Sequence, residues 1–142
     1  MERRRYVFNR VHFDAPVGWT DLSIVTLAGA SPVLAPTVVL TKDDAQGTAE
    51  AYAKRQLPDL KKQLKGFVLA HEGPCVLAGQ PAYRLEQHFT TPEKQRAHQE
   101  QIFLVHRGEM LVLTLTCAES ERSLQQPLFE SVKSSLVLEG DA

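Results

Sequence analysis

The stretch "QEQIFLVHRGEMLVLTLTC" (residues 99–117) decides the fold of this chain, which has 142 residues. Two apolar segments flank the dipeptide Arg107-Gly108, and a short polar pair between two alternating segments is typical of a hairpin turn. A turn at this place pairs Val105 with Met110 across the two strands. We therefore predict an antiparallel hairpin whose register is set by the turn.

Alternation divides the side chains of this hairpin into two sets, because successive residues of a strand point to opposite faces. The first set, the aliphatic face, consists of Ile102, Leu104, Leu111, Leu113 and Leu115. The second set, the mixed face, is apolar near the turn and carries hydrogen-bonding groups further away. It consists of Gln99, Gln101, Phe103, Val105, Met110, Val112, Thr114 and Thr116. We expect the helices of the protein to cover the aliphatic face.

Further strands are predicted at residues 6–13, 20–28 and 37–42, and two or three more within 67–89. The last group has turn signals near Gly73-Pro74 and Gly79-Gln80-Pro81. A polar loop is expected at residues 90–98. The strands outnumber the helices, and most are joined by turns too short for a parallel crossover.

Two helices complete the prediction. The first follows a cap at Thr48 or a preceding Asp, and its apolar stripe is Ala49, Ala53, Leu57, Leu60 and Leu64. Pro58 lies inside this stripe and should either kink the helix or split it. The second helix is expected after Pro127, with Leu128, Val132 and Leu136 as its stripe. The fold class is α+β: one domain over residues 1–142, with a largely antiparallel twisted sheet and two main helices packed on it.

The mixed character of the hairpin recurs on earlier strands. Leu22, Ile24 and Thr26 share one face there, as do Thr37, Val39 and Thr41. Threonine favours strands, so half-exposed sheet faces explain this composition. The alternative is a continuous binding surface for a partner that is apolar but not uniformly so.

Charge and composition limit the partners and the compartment. Sixteen Lys and Arg residues face seventeen Asp and Glu residues, and this balance argues against nucleic acid or an anionic membrane as the main partner. No run approaches the ~20 apolar residues of a membrane span, so direct membrane insertion is not expected. The N-terminus has no apolar run of the signal-peptide kind, and a cytoplasmic location is expected.

Cys75 and Cys117 are expected to be buried thiols, with a disulfide as the alternative.

Catalytic and metal signatures are missing from the sequence. Its histidines are not arranged in HxxxH, HxH or HExxH patterns; they are His12, His71, His88, His98 and His106. There is no nucleophile elbow and no glycine-rich phosphate loop. We therefore expect no catalytic residues, no metal and no cofactor, although spacing does not address a cluster assembled in three dimensions. The alternative is a small-ligand-binding or enzymatic domain of the NTF2-like kind, in which Glu86 or His88 would point into a closed pocket.

Five segments resemble the Eag chaperones, the DcrB-like cytosolic adaptors of bacterial type VI secretion. They occur in the order of that family: "APVGWTDLSIVTL", "VVLTKDDAQG", "YAKRQLPDLKKQLKGF", "VLAGQPAYRL" and "QEQIFLVHRGEMLVLTLT". The resemblance implies a PsbP-like fold, a homodimer and a chaperone function. Family members bind the apolar N-terminal transmembrane segments of toxic effectors and shield them until loading onto the secretion spike. An envelope protein of the wider DcrB-like group is a second alternative.

The resemblance also implies which residues line the partner-binding groove. Carried over by position, they are Ile24, Thr26, Val39, Gln56, Leu60, Leu64 and Gln101. The alternation of the hairpin adds Phe103 and Thr114 to this set. Two features depart from the family: Pro58 interrupts the first helix, and Thr26 stands where a larger aliphatic residue is common.

Overall fold

The computed structural model describes residues 3–8, 11–16 and 24–138 of the chain. These residues form eight strands, one short 3₁₀ turn and two α-helices. In chain order they are β1 (Arg3–Phe8), β2 (Val11–Pro16), β3 (Val25–Ala28), β4 (Thr37–Asp44), α1 (Ala49–Gln63), β5 (Lys65–Leu77), β6 (Gln80–Thr90), β7 (Arg96–His106), β8 (Glu109–Ala118), the 3₁₀ turn (Glu119–Glu121) and α2 (Arg122–Ser135).

Six of the strands form one antiparallel sheet in the order β3-β4-β8-β7-β6-β5, and β1 pairs with β2 as a separate hairpin. The predicted register of the β7–β8 hairpin is confirmed, with Val105 opposite Met110. Arg107 and Gly108 both have positive φ angles, as a two-residue type I′ turn requires. The α+β class and the antiparallel sheet predicted from the sequence are thus confirmed.

Several predicted strand limits were wrong. The first strand is a hairpin, β1–β2, and residues 20–23 of the second lie outside the described residues. β5 runs straight through Gly73-Pro74, where a turn was expected. Proline is tolerated there because β5 is an edge strand, so the missing N–H interrupts no ladder inside the sheet. The other predicted turn, near Gly79-Gln80-Pro81, is confirmed: it lies at Ala78 and Gly79, between β5 and β6, and both residues have positive φ angles.

Helix α1 starts at the predicted cap. The Thr48 hydroxyl accepts a hydrogen bond from the backbone N–H of Ala51 at 3.1 Å, and Glu50 lies in the first turn, where its charge is favourable. Pro58 neither splits nor ends the helix, which continues to Gln63. Proline removes only one backbone hydrogen bond from the helix, and packing of the apolar stripe outweighs that loss.

Helix α2 differs from its prediction. It begins at Arg122, so Pro127 lies inside it and does not mark its start. The residue that packs inward is Phe129, whereas Leu128 is 61% exposed. Val132 and Leu136 contact the core as predicted, and Phe129 takes the place of Leu128 in the stripe.

The two helices cover opposite faces of the sheet. Phe129 of α2 packs on the aliphatic face, against a cluster that includes Ile102, Leu113 and Leu115. Helix α1 instead covers the apolar end of the mixed face, where Ala53 packs in one cluster with Phe103. The expectation that both helices cover the aliphatic face was wrong for α1. Alternation shows which residues share a face, but it does not show which face a distant helix covers.

Candidate binding surface on the mixed face

Four of the predicted partner-binding residues form one row across the sheet. Thr26 of β3 is paired with Val39 of β4, Val39 with Thr114 of β8, and Thr114 with Gln101 of β7. Directly paired residues project from the same side of a sheet. The mixed face therefore continues from the β7–β8 hairpin across β4 to the edge strand β3.

The part of the mixed face formed by Thr114 and Thr116 of β8, by β4 and by β3 is at least partly accessible, and we call it the open surface. Helix α1 lies against β5, β6 and β7, on the other half of the same face. Within the open surface Thr26 is exposed, and Val39 and Thr114 are half-buried. Ile24, just before β3, is 63% exposed. The open surface thus presents aliphatic groups and hydroxyls side by side.

A hydrogen-bonded network of glutamines and threonines crosses the polar end of the mixed face from β6 through β7 to β8. The Gln87 amide donates to the Oε1 atoms of Gln99 and Gln101, at 2.6 and 3.0 Å. Gln99 in turn donates to the Thr116 hydroxyl at 3.0 Å, and Gln101 donates to the Thr114 hydroxyl at 3.2 Å. Each accepting hydroxyl retains its own proton, which can be donated to a partner's carbonyl oxygen.

Gln87 is the anchor of this network. It is fully buried, and its Oε1 atom has no hydrogen-bond partner among the described residues. A buried polar atom without a partner costs about 1–3 kcal/mol. The network nevertheless holds the amides of Gln99 and Gln101 in fixed orientations. Its side chains are therefore ordered before any partner arrives, and this reduces the entropy lost on binding.

Three of the predicted residues lie in α1 or at its C-terminal end, and one of them, Leu60, packs against the cluster that contains Phe103. The chain passes from α1 into β5 at Lys65, which is paired with Thr90, so the C-terminal end of α1 lies toward the polar end of the mixed face. Gln56, Leu60 and Leu64 are all half-buried. They can contribute to a wall beside the open surface.

Phe103 belongs to the core and requires a correction. It is 1% exposed, and its ring lies 5.9 Å from that of Tyr52 in α1, centroid to centroid. It shares the mixed face with Gln101, but α1 covers it. Phe103 therefore offers no accessible surface to a partner, and we remove it from the candidate residues.

A charged cluster lies on the aliphatic face, beside α2. Glu86 accepts from Arg84 at 2.6 Å and from Arg122 at 2.7 Å, and Glu100 pairs with Arg84 and, at 3.0 Å, with Lys133. Burial alone would raise the pKa of Glu86, but the hydrogen bond and charge of Arg84 and the charge of Arg122 hold it below its ordinary value. These ion pairs tie α2 to β6 and β7.

Two histidines adjoin this cluster, and the sequence did not indicate that they meet. His98 lies in β7, not in the predicted polar loop, directly opposite His88 of β6. Their ring centroids are 4.9 Å apart. Burial, with a smaller contribution from the charge of Arg122, lowers the pKa of His98. Only the β6–β7 register could have revealed this pair, since nine residues lie between the two histidines in the chain. Elsewhere in the sheet, His71 lies inside β5, and His106 ends β7 beside the turn.

The described residues line three cavities, of about 470, 400 and 200 Å³. The first lies at the N-terminal end of α1, the second beside Cys75 and Lys133, and the third between β3 and α2. Neither Glu86 nor His88 lines any of these three, and Glu86 is held in ion pairs. An NTF2-like domain would have Glu86 or His88 in a closed pocket, and these three cavities do not show that arrangement.

Cys75 and Cys117 are both free thiols, the first half-buried and the second buried. Burial raises the pKa of each thiol. Burial thus disfavours the thiolate form of both residues.

The fold defines an α+β domain with a six-stranded antiparallel sheet, and among the described residues α1 contacts the β5, β6 and β7 half of it. Among the described residues, no helix combines the length and apolar character that crossing a membrane requires. The chain belongs to the DcrB family, whose family model matches residues 11–135.

The chain is also similar to a Pseudomonas aeruginosa protein described as the effector EagT6. The two are 26% identical over 136 residues, which cover 93% of this chain and 94% of that protein. This similarity and the family match confirm the resemblance to DcrB-like Eag proteins.

Solved structures agree with the fold. A Pseudomonas aeruginosa protein of unknown function, PA94, described as a putative regulator, is 25% identical with a TM-score of 0.79; the match covers 98% of this chain and 99% of that one. Cyanobacterial PsbP from Synechocystis sp. PCC 6803 is 21% identical with a TM-score of 0.56, covering 96% and 92% of the two chains. The PsbP-like fold is therefore confirmed.

Proposed function

We propose that this protein is a cytoplasmic chaperone and adaptor of bacterial type VI secretion, which binds and shields the apolar N-terminal transmembrane segment of an effector before it is loaded onto the spike. The observation that carries the proposal is the open surface, where aliphatic groups alternate with threonine hydroxyls beside an ordered glutamine network. The similarity to the relative described as the effector EagT6 supports it.

The chemistry of such a segment suits the open surface. A segment of ~20 apolar residues exposed in water would aggregate or insert into the wrong membrane. Burying roughly 1,000 Å² of it gives a gross gain on the order of 25 kcal/mol, before the large costs of association. Val39 and Ile24 supply apolar contact, while Thr114 and Gln101 can hydrogen-bond to small or polar residues of the helix or to its free end groups.

The test is affinity purification of the tagged protein from the cells that produce it, under conditions in which the secretion apparatus is expressed. We expect mass spectrometry to find a stoichiometric partner with an apolar N-terminal segment, and deletion of that segment should abolish co-purification. A preparation without such a partner, or a partner retained after the deletion, would contradict the proposal.

The proposed chaperone acts as a homodimer, because two copies together can enclose more of an apolar helix than one half of one sheet face. Multi-angle light scattering of the purified protein at micromolar concentration should give about twice the mass of the chain. A monomer under these conditions would rule out the dimer and leave each chain to hold its partner alone.

A further inference from the structure

We propose that Glu86, His88 and His98 form a zinc-binding site on the aliphatic face of the sheet. This site is separate from the open surface, and its existence does not depend on the proposed chaperone function. Each of the three residues offers one ligand atom, and these atoms lie within 4.8 Å of one another. His88 and His98 face each other across β6 and β7, and Glu86 precedes His88 by two residues and so lies on the same face.

The two imidazoles have unused nitrogen atoms. The Nδ1 atoms of His88 and His98 are buried and have no hydrogen-bond partner among the described residues. His98 is only 4% exposed, so solvent does not satisfy its nitrogen. Such buried groups normally find a partner, and one without is costly. The His98 ring therefore has no hydrogen bond at Nδ1 to lose when it turns toward a metal ion, and its Nε2 atom lies 4.0 Å from Oε1 of Glu86.

The set of ligands selects the type of ion. Two imidazole nitrogens and one carboxylate oxygen are typical zinc ligands, whereas calcium and magnesium prefer oxygen ligands alone. Bond lengths of about 2.0–2.1 Å in a tetrahedral zinc site place neighbouring ligand atoms roughly 3.4 Å apart. Small rotations of the side chains would bring this cluster to that spacing. Glu119, whose Oε2 atom lies 3.6 Å from Nδ1 of His88, is exposed and within reach as a fourth ligand.

Arg122 would compete with a zinc ion for the carboxylate of Glu86, and this competition provides a specific test of the proposal. Nη2 of Arg122 lies 2.7 Å from Oε1 of Glu86, so this guanidinium holds one carboxylate oxygen that zinc would use. The Arg122 side chain is 46% exposed and can turn into solvent. If zinc shares this carboxylate, removal of Arg122 should strengthen zinc binding, because one positive charge leaves the site and Glu86 is released. A histidine that binds zinc adventitiously elsewhere would not respond in this way.

The experiment is isothermal titration calorimetry of the purified full chain with zinc chloride. We expect a single saturable site, at least tenfold weaker binding in each of His88→Gln and His98→Gln, and roughly tenfold tighter binding in Arg122→Ala. His106→Gln is the matched control: it removes a histidine at the far end of the same strand and should leave the affinity unchanged. Circular dichroism checks that each variant is folded.

Absence of a saturable zinc site in the parent protein would overturn the proposal. Equal weakening by His106→Gln, or unchanged or weaker binding in Arg122→Ala, would overturn it as well. If His98→Gln does not fold, the test uses His88→Gln, which replaces a half-buried residue and should weaken zinc binding, and Arg122→Ala, which should strengthen it.

Discussion

Replacing Leu64 by glutamate should reduce the affinity of the protein for its apolar partner segment at least about a hundredfold, while the chain remains folded. Leu64 caps the C-terminal end of α1 and is half-buried beside the polar end of the mixed face. A carboxylate at this position would have to be desolvated against an apolar helix that itself offers no cation to pair with it. The measurement is co-purification of the partner, followed by titration with a peptide of its apolar segment.

Gln63→Glu is the matched control for this substitution. It introduces the same charge one residue earlier, at an exposed position, and should leave binding unchanged. Urea unfolding of both variants separates a loss of binding from a loss of fold.

Gln101→Leu tests the polar part of the same surface. It removes the amide that links Gln87 to Thr114, so the hydroxyl of Thr114 is no longer held in place. We expect weaker capture of the partner than by the parent chain, with the fold retained. Unchanged co-purification with both Leu64→Glu and Gln101→Leu would refute the assignment of this surface.

Much of the sheet could be predicted because a single turn fixes its register. Once the turn lies at Arg107-Gly108, alternation places Gln101 and Thr114 on one face, and the structure confirms that pairing. The row continues to Val39 and Thr26 because β4 and β3 extend the same antiparallel sheet. These strand pairings depend on one turn and on the alternation of side chains along neighbouring strands, and both can be recognised in the sequence.

The features that sequence did not reveal depend on contacts between distant segments. Pro74 indicates a turn by its local preference, but the preference is overruled because β5 is at the edge of the sheet. Pro127 likewise suggests a helix start, yet Phe129 packs into the core and the helix extends through the proline. The pair of His88 and His98 requires the register of β6 and β7, and the five-residue hairpin loop between them, residues 91–95, carries no Asn-Gly or Asp-Gly signal that would have located its turn.

The position of α1 on the mixed face leads to the second large effect. Phe103→Ala should lower the free energy of unfolding by about 3–5 kcal/mol, because it removes a fully buried ring and leaves a cavity beneath the helix. The neighbouring cluster includes Ala53 and Leu85, which are also fully buried, so little collapse around the site is available. The measurement is urea denaturation followed by circular dichroism.

Val105→Ala provides the comparison, since Val105 lies on the same face two residues further along β7 but is 39% exposed. Its truncation should cost no more than about 1 kcal/mol, because less apolar area leaves the core. If Phe103 instead lined an accessible groove, Phe103→Ala would cost no more stability than Val105→Ala and would weaken partner binding at full stability. That result would mean that α1 does not cover Phe103 and that the open surface continues to the turn at Arg107-Gly108. A large loss of stability, with partner binding retained under conditions in which the variant is folded, would establish that α1 divides the mixed face into a core half and a binding half.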